Sequence, residues 1–345
     1  MSKYLNIKDF LQDGYSTTFI IGARGVGKTV SSFVESIKDC YEHDQKFIYL
    51  RRYQTEIDTL GLNLGLISEL TGLEVSIDSV KDDSGRSVKM ITAGQKVNMP
   101  DKDGNEKEKV KNKKPLGYLL ALSVASKYKS TDYTGTKIII YDEFIDIRNR
   151  ELKNEVNLFL NFAMTVFRDF SKYKALFLAN ATNVFNCYFI AFNTIPNSKI
   201  TKNKKLSIKI VMYQTSKELD ERRKTPLAKL VDFAGDSESS LDNNFTLKAG
   251  YIGTNGKSAI CRSIIKLDGK NYGFWKNDDY YLISTKFNPT SKKWIALDSV
   301  DDENYDYLPS GYIPIRDLLI NHKLMFNNIM TRGIWFKYLK EMNAI

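Results

Sequence analysis

The chain has 345 residues, with 51 lysines and arginines against 41 acids for a net charge of +10, and it is 42% hydrophobic and 12% aromatic. This is the composition of a globular protein with room for a large domain and a smaller one. No stretch approaches the roughly 18 uninterrupted apolar residues of a membrane span. The 3 scattered cysteines argue against a disulfide framework, and 2 histidines, His43 and His322, all but exclude a histidine-built metal site or a Ser-His-Asp triad.

In chain order, residues 1–9 lack the apolar region of a signal peptide, and the few cysteines point to a reducing compartment. Thr18, Phe19, Ile20 and Ile21 read as a strand. Residues 22–29, Gly-Ala-Arg-Gly-Val-Gly-Lys-Thr, match the phosphate-binding pattern G-x-x-x-x-G-K-[ST]. Val30, Phe33, Val34, Ile37 and Tyr41, three or four apart, predict the buried face of the helix that follows. In that context Gly22, Ala23, Arg24, Gly25, Val26 and Gly27 wrap the backbone round a polyphosphate with its N–H groups inward. The helix N-terminus adds partial positive charge, Lys28 reaches the β- and γ-phosphates, and the Thr29 hydroxyl can ligate Mg²⁺. ATP and Mg²⁺ are the expected cofactors.

Further strands are predicted at 45–50, ending on Arg51 and Arg52, at 137–141 and at 174–179, with 207–212 able to close the sheet. Such near-continuous apolar runs suit strands covered on both faces, and their alternation with helices predicts a mostly parallel α/β sheet over residues 1–200. A helix between the third and fourth strands is expected to bury Leu152, Val156, Phe159, Leu160, Ala163 and Phe167. Residues 88–99 read as a hairpin and 100–115, lysine-rich around Asp103 and Gly104, as a solvated turn. Residues 201–230 read as a linker or small lid. From 231 to 345 the pattern becomes an antiparallel meander, with Asp268 and Gly269 a strong hairpin signal, then two helices near 314–327 and 332–343. A smaller α+β domain is expected there.

The strand at 138–141 ends in Asp142 and Glu143. Adjacent side chains leave a strand in opposite directions, so the two acids take different jobs. Asp142 can face the metal shell while Glu143 orients and deprotonates the attacking water. Asn180, at the tip of the next strand, is a candidate sensor of the γ-phosphate, although asparagine after a strand is also ordinary turn chemistry. In the last third, Asp268, Asp278 and Asp279 fall on connections and Asp298, Asp301, Asp302 and Glu303 follow a strand end. A two-metal nuclease needs convergent carboxylates, so no nuclease activity is expected.

Six blocks occur in order: residues 22–29, 47–53 (Phe-Ile-Tyr-Leu-Arg-Arg-Tyr), 142–145 (Asp-Glu-Phe-Ile), 165–168 (Thr-Val-Phe-Arg), 221–225 (Glu-Arg-Arg-Lys-Thr) and 240–243 (Ser-Leu-Asp-Asn). Together they resemble the DNA-packaging ATPases of small tailed phages of the phi-twenty-nine type, of the ASCE P-loop superfamily. The resemblance implies a homo-oligomeric ring, a pentamer on the family's pattern, docked on a prohead portal in the host cytoplasm and driving double-stranded DNA. It leaves a packaging RNA open as a further partner. It makes Arg168 a trans-acting arginine finger and Lys129 a second trans-acting cation. It also implies a C-terminal domain of RNase H-like shape, a degenerate nuclease. Arg148 and Arg150 fall where the family carries a basic DNA-facing loop, and the lysine-rich turn is longer than the family's short hairpin. Another DNA translocase or helicase of the same superfamily, or a terminase-like enzyme that also cuts, are the alternative readings.

Overall fold

The computed structural model describes residues 5–11, 14–23, 25–81, 85, 87–100, 106–128, 131–145, 151–180, 186–196, 198–213, 224–226, 229–230, 252–296, 303–307, 318 and 323–341. The chain divides into two compact units, Met1–Thr246 and Leu247–Ile345.

In the first unit, helix α1 (Lys8–Leu11) leads into β1 (Thr17–Gly22), α2 (Lys28–His43) and β2 (Lys46–Arg51). Two short helices, α3 (Gln54–Asp58) and α4 (Leu64–Thr71), precede three strands, β3 (Glu74–Lys81), β4 (Ser87–Pro100) and β5 (Glu106–Ala121). Then come β6 (Thr136–Asp142), α5 (Glu155–Val166), β7 (Ala175–Ala179), α6 (Cys187–Ala191), β8 (Ile200–Asn203) and β9 (Ile208–Tyr213). The nine strands form one sheet in the order β3-β4-β5-β2-β6-β7-β1-β9-β8. From β5 to β9 every neighbouring pair is parallel, while β3, β4 and β8 are antiparallel additions at the edges. This is the mostly parallel α/β sheet expected, and it runs on to Tyr213, beyond the boundary placed near residue 200.

β1 and β7 are buried at every position, and β2 and β6 along their apolar residues. On one face of the sheet, Phe33 and Ile37 of α2 pack with Ile20, Phe47, Tyr49 and Ile140. On the other, Phe19, Tyr141, Phe144, Phe159, Phe177 and Tyr188 form an aromatic cluster with ring centroids 4.5–6.0 Å apart. Gly117 lies opposite Phe47, and a Cβ there would sit 2.3 Å from the Phe47 ring, so β5 can join the sheet because this position has no side chain.

Three expectations are corrected. The hairpin partner of β4 is β5, so the segment from Glu106 onward is strand rather than turn. On α5, Phe159, Ala163 and Phe167 are buried as expected, but Glu155, Phe162 and Val166 are buried beside them and Leu160 is 37% exposed. In the second unit, 324–326 is a strand where a helix was expected.

That second unit is a mixed six-stranded sheet. Strands β10 (Ile260–Leu267), β11 (Lys270–Lys276) and β12 (Tyr281–Ser284) form the predicted antiparallel meander. Asp268 and Gly269 turn the first hairpin with φ of 48° and 70°, the two positive values that a type I′ turn requires. The meander stops there, because β13 (Lys292–Ile295) returns parallel to β10, with β14 (Asp306–Tyr307) outside it. β15 (Leu324–Phe326) joins the other edge parallel to β12, and α7 (Ile329–Glu341) contributes Trp335 and Leu339 to the core.

Candidate nucleotide site

The parallel strands of the first unit end at one edge of the sheet, where open α/β sheets bind ligands. The turn after β1 carries Gly25 and Gly27 at φ of 74° and 85°, a left-handed backbone that glycine adopts without strain. α2 begins at Lys28 with no side-chain cap on its first N–H groups. An uncapped helix start with a glycine-rich approach is a ready anion site. Lys28 is 8% exposed, and its Nζ donates to the carbonyls of Gly22 (2.7 Å) and Ala23 (2.8 Å) and to Oδ1 of Asn180 (3.0 Å). Asn180 reaches Lys28 because β7 lies between β1 and β6 in the sheet.

Asp142 ends β6 and is buried; its Oδ2 accepts from the Thr29 hydroxyl (2.8 Å) and the Tyr49 hydroxyl (2.8 Å). Burial, and then the Asp142 charge, push the Tyr49 pKa well above its ordinary value, which keeps that phenol a donor. The Thr29 hydroxyl and the Asp142 carboxylate are hard oxygen donors side by side, a set that suits Mg²⁺, which takes one or two carboxylates together with phosphate and water.

Glu143 lies one residue past the strand with φ of 56°, a left-handed conformation uncommon outside glycine. Its side chain is 57% exposed, and Oε2 accepts from Arg51 Nη2 at 2.7 Å. Arg51 also lies 3.5 Å from Asp142 Oδ2 and 3.9 Å from Glu56 Oε2. Burial opposes its charge, but Tyr49 and the surrounding carboxylates outweigh burial and raise its pKa. The two acids therefore have separate surroundings: Asp142 is enclosed against Thr29, and Glu143 faces solvent under an arginine.

Of the residues singled out in the sequence, Gly22, Ala23, Gly25, Val26, Gly27, Lys28, Thr29, Asp142, Glu143 and Asn180 belong to this edge. Arg168 does not. It is exposed and follows α5, whose end lies near the start of β6, where its charge helps hold the Asp132 carboxyl below the usual range after the Thr134 hydrogen bonds. The seven residues of β6, at ~3.3 Å each, put roughly 20 Å between Arg168 and its own Asp142. Arg24, Lys129, Arg148 and Arg150 lie outside the described residues. Sequence reasoning missed Tyr49, Arg51, Arg52, Glu56 and Glu155. The signal available was the arginine pair at the tip of β2, the strand beside the acid-bearing one.

Residues 1–78 and 95–343 match the family described as Podovirus DNA encapsidation protein (Gp16). The DNA packaging protein of Bacillus phage B103 is 30% identical over 338 residues, covering 94% of this chain and 97% of the relative. That of Bacillus phage phi29 is 27% identical over 359 residues, covering 99% and 98%. The fold superposes on a chain of the bacteriophage Phi-29 viral genome packaging motor assembly with a TM-score of 0.71 at 25% identity, over 99% of this chain and 100% of that one. A chain of the Phi-28 gp11 DNA packaging motor shares the fold with a TM-score of 0.66 at 19% identity, covering 98% of each chain. With its sequence matched over nearly its whole length, the chain belongs to the Podovirus Gp16 DNA encapsidation family.

Proposed function

We propose that this chain is the ATP-hydrolysing subunit of a ring that packages double-stranded viral DNA, with each site completed by a neighbouring subunit. The observation that carries the reading is the hydrogen bond from Thr29 to Asp142 at the sheet edge that also holds Lys28 and Glu143. The glycine turn and the start of α2 bind the phosphates, and Lys28 exchanges its carbonyl contacts for phosphate oxygens. Thr29 and Asp142 would hold Mg²⁺, which would supply charge neutralisation for the phosphates. Glu143 takes the proton of the attacking water once its ion pair with Arg51 opens, and Asn180 stays within reach of Lys28 to read the γ-phosphate.

Arg168 is roughly 20 Å from its own site, which leaves a neighbour's site as the one it can serve. Beside it lie exposed apolar side chains: Leu160 and Met164 one turn apart on α5, and Phe170, which is 65% exposed. An apolar patch next to a required cation is the surface that a second copy would cover. A ring of five, an attachment to portal and prohead in the host cytoplasm, a packaging RNA as partner, Lys129 as a second cation, and Arg148 and Arg150 as phosphate contacts complete this reading. DNA is held through its phosphates, as a motor that accepts any sequence requires. The mixed sheet of the second unit supports an RNase H-like shape.

Complementation tests the shared site. Glu143→Gln subunits and Arg168→Ala subunits are each expected to be inactive, and mixing them regenerates interfaces that pair an intact base with an intact arginine. Turnover should reappear in the mixture and peak near equal proportions. Silence at every ratio would count against a site shared between subunits.

A further inference from the structure

Beneath the Glu143 turn lies a second ion pair, between Arg52 and Glu155. Arg52 is 2% exposed and Glu155, in the first turn of α5, is equally buried. Arg52 Nε donates to Glu155 Oε2 at 2.6 Å and Nη2 donates to Oε1 at 3.0 Å. The same guanidinium reaches over to the catalytic turn, donating to the carbonyl of Phe144 (2.6 Å) and, more loosely, to that of Glu143 (3.4 Å). Glu155 is filled from its other side by the Tyr141 hydroxyl (2.7 Å) and the Leu152 N–H (2.8 Å). Burial opposes the charge on Arg52, but the hydrogen bonds to Glu155 prevail and raise its pKa.

A buried ion pair adds little stability over well-packed apolar residues, so its geometry is the better guide to its use. Here the geometry is specific. One guanidinium fastens the turn that holds Glu143 in its left-handed backbone to the root of α5. That helix has 12 residues, about 18 Å of rigid rod, and Arg168 follows two residues after its last one.

We propose that the Arg52–Glu155 pair is a positioning pin: it sets the Glu143 turn and joins it to α5, so that the base of a subunit's own site moves with the arginine it lends to the next. The inference rests on the shared-site reading above and adds a coupling between its two halves. A shift of the turn on nucleotide binding or release is carried along α5 to Arg168. Arg52 and Glu155 act through Glu143 and Arg168 and are not themselves catalytic.

Two readouts separate this from a merely structural role. Rings of Glu155→Gln should keep their KM for ATP while kcat falls by about a hundredfold, the scale of a misplacement of around 1 Å. The coupling is read in mixtures of full-length subunits. Arg168→Ala subunits are mixed either with Glu143→Gln subunits or with subunits carrying both Glu143→Gln and Glu155→Gln. The site of the double variant is already silent, so any further loss reports on the arginine it lends. Recovered turnover should be about tenfold lower with the double variant, at unchanged ring size. Equal recovery in the two mixtures overturns the coupling while leaving the shared site standing. If the first mixture does not recover, the shared site is wrong and the inference falls with it. Should the double variant fail to assemble, Tyr141→Phe takes its place, removing one hydrogen bond from Glu155 and keeping the charges paired. A smaller drop in recovery is then expected, and no drop overturns the inference.

Discussion

Glu143→Gln should lower ATP turnover by about 10²–10⁴-fold, the contribution of a positioned general base, while nucleotide affinity stays near that of the unaltered ring. Glutamine keeps the size of the side chain and can still accept a hydrogen bond from Arg51, so the loop, Lys28 and the Thr29–Asp142 pair are left as they were. What it cannot do is take a proton from water. The side chain is well placed for that task, since more than half of it is exposed at the mouth of the site, whereas Asp142 is closed in against Thr29 and Tyr49. Phosphate release and the affinity of a fluorescent ATP analogue, measured on the same preparation, check the two halves. Turnover within a fewfold of the unaltered ring would move the base elsewhere.

Arg168→Ala should cost the assembled ring about 10³–10⁵ in turnover, the range of an arginine finger acting on phosphoryl transfer. The size of the effect follows from charge. The transition state spreads negative charge over the γ-phosphate, in a site that, on the shared-site proposal, a neighbour would close against water. Within its own subunit Arg168 is exposed and roughly 20 Å from Asp142, so on the shared-site proposal an effect of this size would come through the next subunit. Arg168→Lys should recover little, because a point charge does not reproduce the planar fork of the guanidinium. Sedimentation of the variant ring guards against mistaking disassembly for lost chemistry. A ring of normal size that still turns over within about tenfold of the parent would remove Arg168 from the chemistry.

The parts of the molecule that were legible in the sequence are those written locally. β1, β2, β6, β7 and β9 are buried on both faces, and a strand buried on both faces reads as a continuous apolar run. The phosphate loop and the Asp142–Glu143 pair are contiguous motifs in a strand-turn-helix context, so they too could be found by reading along the chain. β5 was lost because its buried residues 116–121 follow Lys113, Lys114 and Pro115 within one strand, with no turn between. In α5, Phe159, Ala163 and Phe167 are buried as expected, but the rest of the face differs for a physical reason: an acid, Glu155, is buried because Arg52 neutralises it, and Leu160 faces outward. Neither fact has a local signature. The pairs Arg51–Glu143 and Arg52–Glu155 span 92 and 103 residues, and a charged residue is ordinarily read as surface. A partner so distant in sequence becomes visible when the sheet places β2 beside β6. The arginines at 51 and 52 sit at the tip of a strand with successive side chains on opposite faces. One therefore meets the two site acids and the other enters the core below them.

The measurement that tests the central claim most directly is the steady-state ATPase rate with and without double-stranded DNA, with Glu143→Gln run beside the unaltered chain. A DNA-coupled motor predicts turnover that rises with DNA, falls off steeply as salt weakens the phosphate contacts, and vanishes in the variant. Turnover indifferent to DNA, or surviving the loss of the Glu143 carboxylate, would contradict it.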